Sequence, residues 1–175
     1  AAIPSPFEGQ RAYITASTVA AATGNKAATP TGIQTIYNGS GWVCVTPVGA
    51  YSDVAGTTAT TGSFVTTLTG DGTAITATIT TGTSALVMLT GTTYSSSPSA
   101  TNVIAAAVSG ATTVAASDAT GSVGYQATAG AVVNHCRSWT IVNLTAGTNV
   151  FTLSYKQATG GTTFYQRCLT VQGIA

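Results

Sequence analysis

Charged side chains are scarce in this sequence. Lys and Arg number five and Asp and Glu four among 175 residues, or 5% of the chain, against about 25% in a typical globular domain. The cations are scattered at Arg11, Lys26, Arg137, Lys156 and Arg167. Without a basic run to neutralise phosphates, the chain gives no electrostatic reason to expect nucleic acid or an acidic membrane as a partner.

Long hydrophobic runs are also missing, although 44% of the residues are hydrophobic. Thr, Ser and Gly interrupt the uncharged stretch between Asp71 and Asp118 too densely for a membrane span. Disordered chains are usually charged and poor in apolar residues, and this sequence is the reverse. We therefore expect one folded domain with a hydroxyl-covered surface, and the length leaves room for a short appendage.

Residues suited to catalysis are few. His135 is the single histidine, and the acids Glu8, Asp53, Asp71 and Asp118 are far apart in the sequence. A glycosidase needs two converging carboxylates, and no nucleophile elbow, P-loop or zinc-protease motif occurs. Asp71, in TGDGT, is interpreted as a turn residue. We expect no catalytic residue, no cofactor and no enzymatic activity.

The segment NHCRSW, residues 134–139, has three functional interpretations and one structural one. A Cys136 nucleophile activated by His135 conflicts with strand geometry, because adjacent side chains point to opposite faces. A zinc site would also need Cys44 and Cys168, and an anion site at Arg137 has no other support. The structural interpretation is the rim of a strand continuing through SWTIVNL, near a sheet edge or subunit contact. We therefore expect no metal.

The three cysteines, Cys44, Cys136 and Cys168, cannot all pair within the chain. Free thiols in a protein that folds in a reducing cytosol are the simpler interpretation. A Cys136–Cys168 bridge between late strands is the alternative.

The patterning predicts an all-β fold. Turn signals such as TGDGT and TAGT recur at short intervals, which is typical of a sandwich or barrel. AITATIT and FTLSY alternate with a period of two, placing Ile75, Ala77 and Ile79 on one face. The apolar run at 85–90 predicts a strand covered on both faces, by a second sheet or a neighbouring subunit. The run at 102–108 is compatible with helix, but its context favours strand.

A domain boundary is predicted near residue 50. Residues 1–50 are interpreted as a small β-hairpin module whose core is supplied by Tyr13, Tyr37 and Trp42. A two-stranded hairpin is marginal alone in water, so the module is expected to dock onto something. Residues 46–62 are interpreted as a linker. Residues 51–175 are predicted to form an antiparallel jelly-roll or β-sandwich domain.

The stretch GQRAYITAS…TPTGIQTIYNGSGWV resembles a short module common in structural proteins of tailed bacteriophages. The match is carried by Arg11, Tyr13, Tyr37, Asn38, Gly39 and Trp42. The sequence departs from the usual pattern at Ala16, where an aspartate often follows the first strand, and its loop is long. The resemblance implies that these six residues belong to an attachment module.

The rest of the chain is similar to the β domain that often follows this module in phage particles. The matching pieces are GTSALVMLTG (82–91), VSGATTVAASDA (108–119), LTAGTNVFTLSYK (144–156) and TTFYQRCLTVQGI (162–174). The resemblance implies a virion surface protein with a jelly-roll-like knob, usually a homotrimer, without a cofactor. In the last piece, alternation puts Arg167 on the face of Leu169 and Val171. We therefore expect a bulge there, or an acceptor from a partner across an interface.

Two functions follow as hypotheses. The first is capsid decoration: a homotrimer on the virion surface, assembled in the bacterial host cytoplasm and held by the major capsid protein or a tail protein. The alternative is a tail-fibre or tail-tip module that recognises cell-wall glycan of the host, with Tyr94, Tyr125 and Trp139 as candidate sugar-binding residues.

Overall fold

The structure is a computed structural model that describes residues 5–14, 20–24, 32–58, 62–158 and 161–174. All regular structure in these ranges is β, and every strand pairing is antiparallel. The predicted all-β class is therefore confirmed. The strands are β1 (Arg11–Ile14), β2 (Ala20–Thr23), β3 (Ile33–Tyr37), β4 (Trp42–Cys44), β5 (Val48–Ser52), β6 (Gly56–Thr57), β7 (Thr76–Thr81), β8 (Ser84–Ser95), β9 (Ala100–Gly110), β10 (Ser122–Gln126), β11 (Val132–Val142), β12 (Gly147–Gln157) and β13 (Thr162–Ile174).

Two large sheets face each other as a sandwich. The first has the strand order β10-β9-β12-β7-β2, and the second has the order β11-β8-β13-β5 with β6 paired to β13. The core lies between them and is built from alternate residues of each strand, as period-two patterning requires. Ile75, Ala77 and Ile79 are fully buried in it, as are Phe151 and Leu153. The predicted sandwich and its inward-facing residues are confirmed.

The second sheet has an outer face that the described residues leave exposed or partly exposed. On β8, Val87 and Leu89 are buried in the core, whereas Leu86 and Met88 point the other way and Met88 is 37% exposed. The apolar run at 85–90 is thus covered by a second sheet on one side only. The side chains that point outward from β8, β11 and β13 carry no charge, and this surface is called the outer face below: Leu86, Met88, Thr90, Cys136, Ser138, Thr140, Val142, Cys168, Thr170, Gln172 and Ile174.

The N-terminal region differs from the expected two-stranded hairpin. Its strands β1, β3 and β4 form a three-stranded sheet, called the small sheet below, in the order β1-β3-β4. The rings of Tyr37 and Trp42 lie 5.6 Å apart and pack as expected. Tyr13 is 66% exposed, so its predicted place in a small core is wrong. The inward residues of this region, Ile33 and Cys44, join the main core.

The linker predicted at 46–62 is wrong over much of its length. Val48–Ser52 forms β5, which pairs with β13, and both Val48 and Ala50 are fully buried. Gly56–Thr57 forms β6 beside the start of β13. Glycine and serine in this segment obscured a strand whose alternate residues are core residues. The division of the chain at residue 50 stays a prediction.

Candidate functional site

His135 is buried between the edges of the two large sheets. Its Nδ1 lies 3.0 Å from the carbonyl oxygen of Ser122 on β10, and its Nε2 lies 3.0 Å from Oγ1 of Thr93 on β8. Because a carbonyl can only accept, Nδ1 carries the proton and Nε2 accepts from the Thr93 hydroxyl. Burial lowers the pKa of His135 from 6.5, and the hydrogen bond to Ser122 only partly opposes this shift.

The neighbours of His135 do not form a catalytic pair with it. His135 is 2% exposed and points inward, whereas Cys136 is exposed on the outer face. Strand alternation therefore separates the two side chains, as expected. Arg137 donates from NH1 to the carbonyl oxygen of Gly121 at 2.6 Å and lies over the ring of Trp139. These contacts connect β11 to the segment that starts β10.

The strand-rim interpretation of NHCRSW is confirmed in its location, because β11 is the last strand of its sheet. A subunit contact at this edge stays a prediction. The segment does more than terminate a sheet, however. His135 hydrogen-bonds to the carbonyl group of Ser122 on β10, and Arg137 to that of Gly121 just before it. Side chains of β11 therefore connect the two large sheets at this edge.

The cysteines are not brought together for zinc or for a disulfide. Cys136 and Cys168 lie opposite Thr90 from its two neighbouring strands, so two strand spacings separate them. That separation is about 9–10 Å, beyond the reach of a disulfide. All three cysteines are free, and Cys44 is buried. Within the described ranges, no group of three or more His, Cys, Asp or Glu side chains could hold a metal ion.

Asp71 and Asp118 form ion pairs with other described residues. Asp118 pairs with Lys156 at the surface. Asp71, interpreted from the sequence as a turn residue, does close a turn through its bridge with Leu68. Its carboxylate also contacts the guanidinium of Arg167, and both side chains are buried. Asp71 is therefore an interior charge, which its position in TGDGT did not indicate.

β13 contains a bulge next to Arg167. The register against β8 shifts between Tyr165 and Cys168, and Gln166 has a φ of +51°. The expected bulge is confirmed. It allows Phe164 and the fully buried Arg167, which are three residues apart, both to point inward, on the same side of the sheet as Leu169.

The acceptors around Arg167 come from its own chain rather than from a partner. Its NH2 donates to Ser52 at 3.0 Å and to the carbonyl oxygen of Val54 at 2.6 Å, in addition to Asp71. Its NH1 donates to the Tyr155 hydroxyl at 3.3 Å. This network fixes β5, the segment after it and the turn at residue 71 against β13.

The pKa values in this network follow from its geometry. Burial acts to raise the pKa of Asp71, but hydrogen bonds from Ser52 and Arg167 and the charge of Arg167 outweigh it, so the pKa lies below 3.8. Burial raises the pKa of Tyr155 to about 12. At neutral pH, Asp71 is therefore a carboxylate and Tyr155 a neutral phenol, and neither is poised to exchange a proton.

The residues predicted for the attachment module fall into two groups. Asn38 and Gly39 form a tight turn, in which Asn38 Oδ1 accepts from the backbone N–H groups of Ser40 and Gly41 at 3.2 and 3.0 Å. Gly39 has a φ of +90°, a conformation that favours glycine. The turn brings Tyr37 against Trp42. These motif residues shape the small sheet, and Tyr37 and Asn38 also line an open pocket beside Glu8.

Arg11 and Tyr13 form the second group and point away from the core. They are two residues apart on β1 and both are exposed. Ala16 lies outside the described residues, and so do residues 25–31, which make up most of the loop after it. Ala16 is the position at which the sequence departs from the module's usual pattern.

An open groove separates the small sheet from the outer face. Its volume is about 600 Å³. Arg11, Gln34 and Ile36 contribute one wall, and Leu86 and Gln172 are among the residues on the opposite side. Of the residues that line the groove, Arg11 is the one that is also among the six motif residues identified from the sequence. The other lining residues are separated widely along the chain, and only pairing of the strands brings them together.

The candidate glycan-binding residues do not share one environment. Tyr125 is 63% exposed and Tyr94 is also exposed. Trp139 packs against the core, and its Nε1 is buried without a hydrogen-bond partner. Trp139 therefore does not present an open platform for a sugar ring.

No described segment is a helix long and apolar enough to cross a membrane.

Comparisons with known proteins bear on the fold. No protein-family model and no curated protein sequence matches this chain. A chain from the T13 viral particle of infectious bursal disease virus superposes with a TM-score of 0.53 at 12% identity, covering 81% of this chain and 40% of the viral chain. A chain from the Gt strain of the same virus gives a TM-score of 0.51 at 13% identity, covering 81% of this chain and 43% of its own length.

This chain thus spans about two fifths of the length of the viral chains it matches. At these identities the likeness concerns the fold alone. It agrees with the predicted jelly-roll-like β-sandwich and extends over most of the chain.

Proposed function

We propose that this protein is a non-enzymatic structural protein of a tailed-phage virion, most specifically a decoration protein attached to the capsid surface as a homotrimer. The observation that carries the proposal is the superposition of its sandwich on chains of infectious bursal disease virus over 81% of its length. The resemblance of its N-terminal and C-terminal motifs to phage virion proteins supports it independently.

The environment of the chemically competent side chains supports a non-enzymatic role. His135 is buried and hydrogen-bonded on both ring nitrogens. Asp71 is neutralised by Arg167 in the interior. A general base needs access to a substrate proton, and these buried groups have none.

The outer face supports the trimer. It is uncharged, and Met88 and Ile174 on it are partly exposed. Stable oligomer interfaces are more apolar than ordinary surface, and a closed assembly would cover the part of this face around Met88, Thr90 and Thr170, which does not line the groove described above. Light scattering during gel filtration is expected to give three times the monomer mass at micromolar concentration. A monomer mass would remove the trimer from the proposal.

In this proposal residues 1–50 attach the chain to the shell, and repeated weak contacts from three copies give high avidity. Purified particles are expected to contain the chain at a fixed ratio to the major shell protein. Recombinant protein should bind particles stripped of it, and a Tyr13→Ala variant, which alters an exposed side chain of the module, should bind more weakly. Failure of the intact chain to bind stripped particles would contradict attachment.

The alternative is a tail-fibre or tail-tip module that recognises cell-wall glycan, and the exposure of Tyr94 and Tyr125 favours it. Aromatic rings that project into solvent are available to stack on a sugar. Sedimentation of the protein with isolated host cell walls, lost on replacing Tyr125 by Ala, would support this role. No sedimentation would exclude it.

A further inference from the structure

The groove between the small sheet and the outer face contains a cation without a partner. Arg11 lines it, and within the described residues the Arg11 guanidinium has no hydrogen bond and no ion pair. The other described cations all have acceptors: Arg137 binds the Gly121 carbonyl, Lys156 binds Asp118 and Arg167 binds Asp71. Because the chain has so few charges, the positive charge of Arg11 is the most distinctive feature of the groove.

The other described lining residues supply apolar surface and amides, and no acidic residue is among them. Ile36 lies on the wall next to Arg11, with Leu86 and Ile174 on the opposite side. Gln172 donates from Nε2 to the Val45 carbonyl at 2.8 Å, which fixes its orientation and leaves its Oε1 free to accept. The side-chain amide of Gln34 has no hydrogen bond to any described residue.

This combination suits one kind of ligand. A guanidinium binds a carboxylate in a planar, bidentate geometry. Side-chain amides match the N–H and C=O groups of an extended backbone, and apolar surface takes alternate side chains. The groove is open to solvent, so a segment of polypeptide can reach Arg11 from outside.

We propose that this groove binds an extended segment of a partner protein, with one Asp or Glu side chain on Arg11 and apolar side chains against Ile36 and Leu86. The inference rests on the proposed function, in which the partner is the shell protein. It names the chemistry of the segment that the attachment module recognises.

A second copy of this chain fits the groove less well than a segment of another protein. Asp71 and Asp118 are already in ion pairs, and Asp53 has a partner of its own. Glu8 is the acid that remains, so a copy would have to deliver its N-terminal segment to the groove. A concentration-dependent change in mass that disappears in a Glu8→Gln variant would reveal this arrangement and overturn the proposal.

The direct test uses a blocked peptide, acetyl-Thr-Val-Glu-Val-Thr-amide, and its Gln counterpart, titrated into the full-length protein while amide NMR shifts are followed. We expect saturable shifts confined to β1, β3, the residues around Val45, the start of β8, the part of β11 around Thr140 and the end of β13. The Glu peptide should bind several-fold more tightly than the Gln peptide at low salt. The difference should shrink in about 1 M salt, where charges are screened within about 3 Å.

The matched variants are Arg11→Gln and Lys156→Gln, which remove the same charge from different surfaces. Arg11→Gln should abolish the preference for the Glu peptide, and Lys156→Gln should keep it. Equal binding of both peptides, shifts mapped elsewhere, or no saturation up to about 10 mM would each overturn the proposal.

Binding to stripped particles separates this inference from the proposed function. If the unaltered chain binds and Arg11→Gln binds at least several-fold more weakly than Lys156→Gln, both stand. If all three bind equally, the groove inference fails and the decoration role survives. If none binds, the decoration role itself fails.

Discussion

The guanidinium of Arg167 contacts the carboxylate of Asp71 inside the sandwich, although 96 residues separate them in the chain. Both side chains are buried, and Ser52 and the Val54 carbonyl complete the contacts of the Arg167 NH2 group. Taking two charges out of water is costly, and their attraction offsets that cost only when geometry and hydrogen bonds are good. The pair therefore connects the turn at residue 71 to β13.

Replacing Asp71 by Asn should destabilise the protein strongly, because it leaves the Arg167 charge buried without a counter-ion. The expected loss is about 3–5 kcal/mol in the free energy of unfolding. Urea denaturation followed by tryptophan fluorescence measures it.

The surface pair between Lys156 and Asp118 provides the control, since the Asp118 side chain is 56% exposed. Asp118→Asn should cost at most about 1 kcal/mol. Equal losses for the two variants would mean that burial of the Arg167 pair has no energetic consequence, contrary to this account.

Stability should fall as the pH is lowered through the ordinary histidine range. The pKa of His135 is lowered in the folded protein, so below pH 6.5 the unfolded chain binds a proton that the folded chain does not. The free energy of unfolding therefore decreases with falling pH, by at most about 1.4 kcal/mol per pH unit for one proton. The decrease ends once the pH falls below the folded pKa.

His135→Gln should flatten this part of the stability curve, as measured by urea denaturation at intervals of half a pH unit. Asp71 does not interfere, because its pKa is below 3.8 in the folded state and its stabilisation is lost only under more acidic conditions. An unchanged slope in the variant would assign the pH dependence to another group.

The close packing of β10 against His135 and Val133 on β11 requires glycine at position 124. A Cβ atom there would lie 2.6 Å from Cε1 of His135 and 2.7 Å from Cγ1 of Val133. Gly124→Ala should therefore cost about 1–3 kcal/mol through overpacking. Gly72 is the matched control, because a Cβ at that position meets nothing within 4 Å. A thermal unfolding series in which the two variants lose equal stability would contradict the close packing at His135.

The thiols should react in an order set by exposure. Cys136 is exposed, Cys168 is partly exposed, and burial raises the pKa of the Cys44 thiol. Brief treatment with iodoacetamide followed by peptide mass spectrometry should label Cys136 first and Cys44 only after denaturation. A reducing agent should leave the unfolding midpoint unchanged. A drop in the midpoint on reduction would reveal a disulfide that this geometry forbids.

Much of the fold could be predicted because the sequence alternates where one face of a strand is buried. Ile75, Ala77 and Ile79 lie in the core as the pattern indicates. The strand at Val48–Ser52 was missed because it is short and carries Gly49 and Ser52 within a segment rich in glycine and threonine. Pairing with β13, rather than local propensity, makes it a strand.

The candidate sites could be predicted only in part, since their residues come from distant strands. The alternation around Arg167 indicated an unusual position, but nothing local identified Asp71 as its partner. The NHCRSW segment was placed correctly at a sheet edge, whereas its acceptors on Ser122 and Gly121 depend on how the two sheets close. The groove likewise combines Arg11, from the recognised motif, with residues more than 70 positions away.

The most direct test of the central claim is electron microscopy of intact particles labelled with gold-conjugated antibody against this chain. The account predicts label spread over the heads, at a density that reflects many symmetric copies. Label confined to the tail would replace decoration by the host-binding alternative. Particles without label, from a preparation in which the antibody recognises the purified chain, would contradict a surface role in the virion.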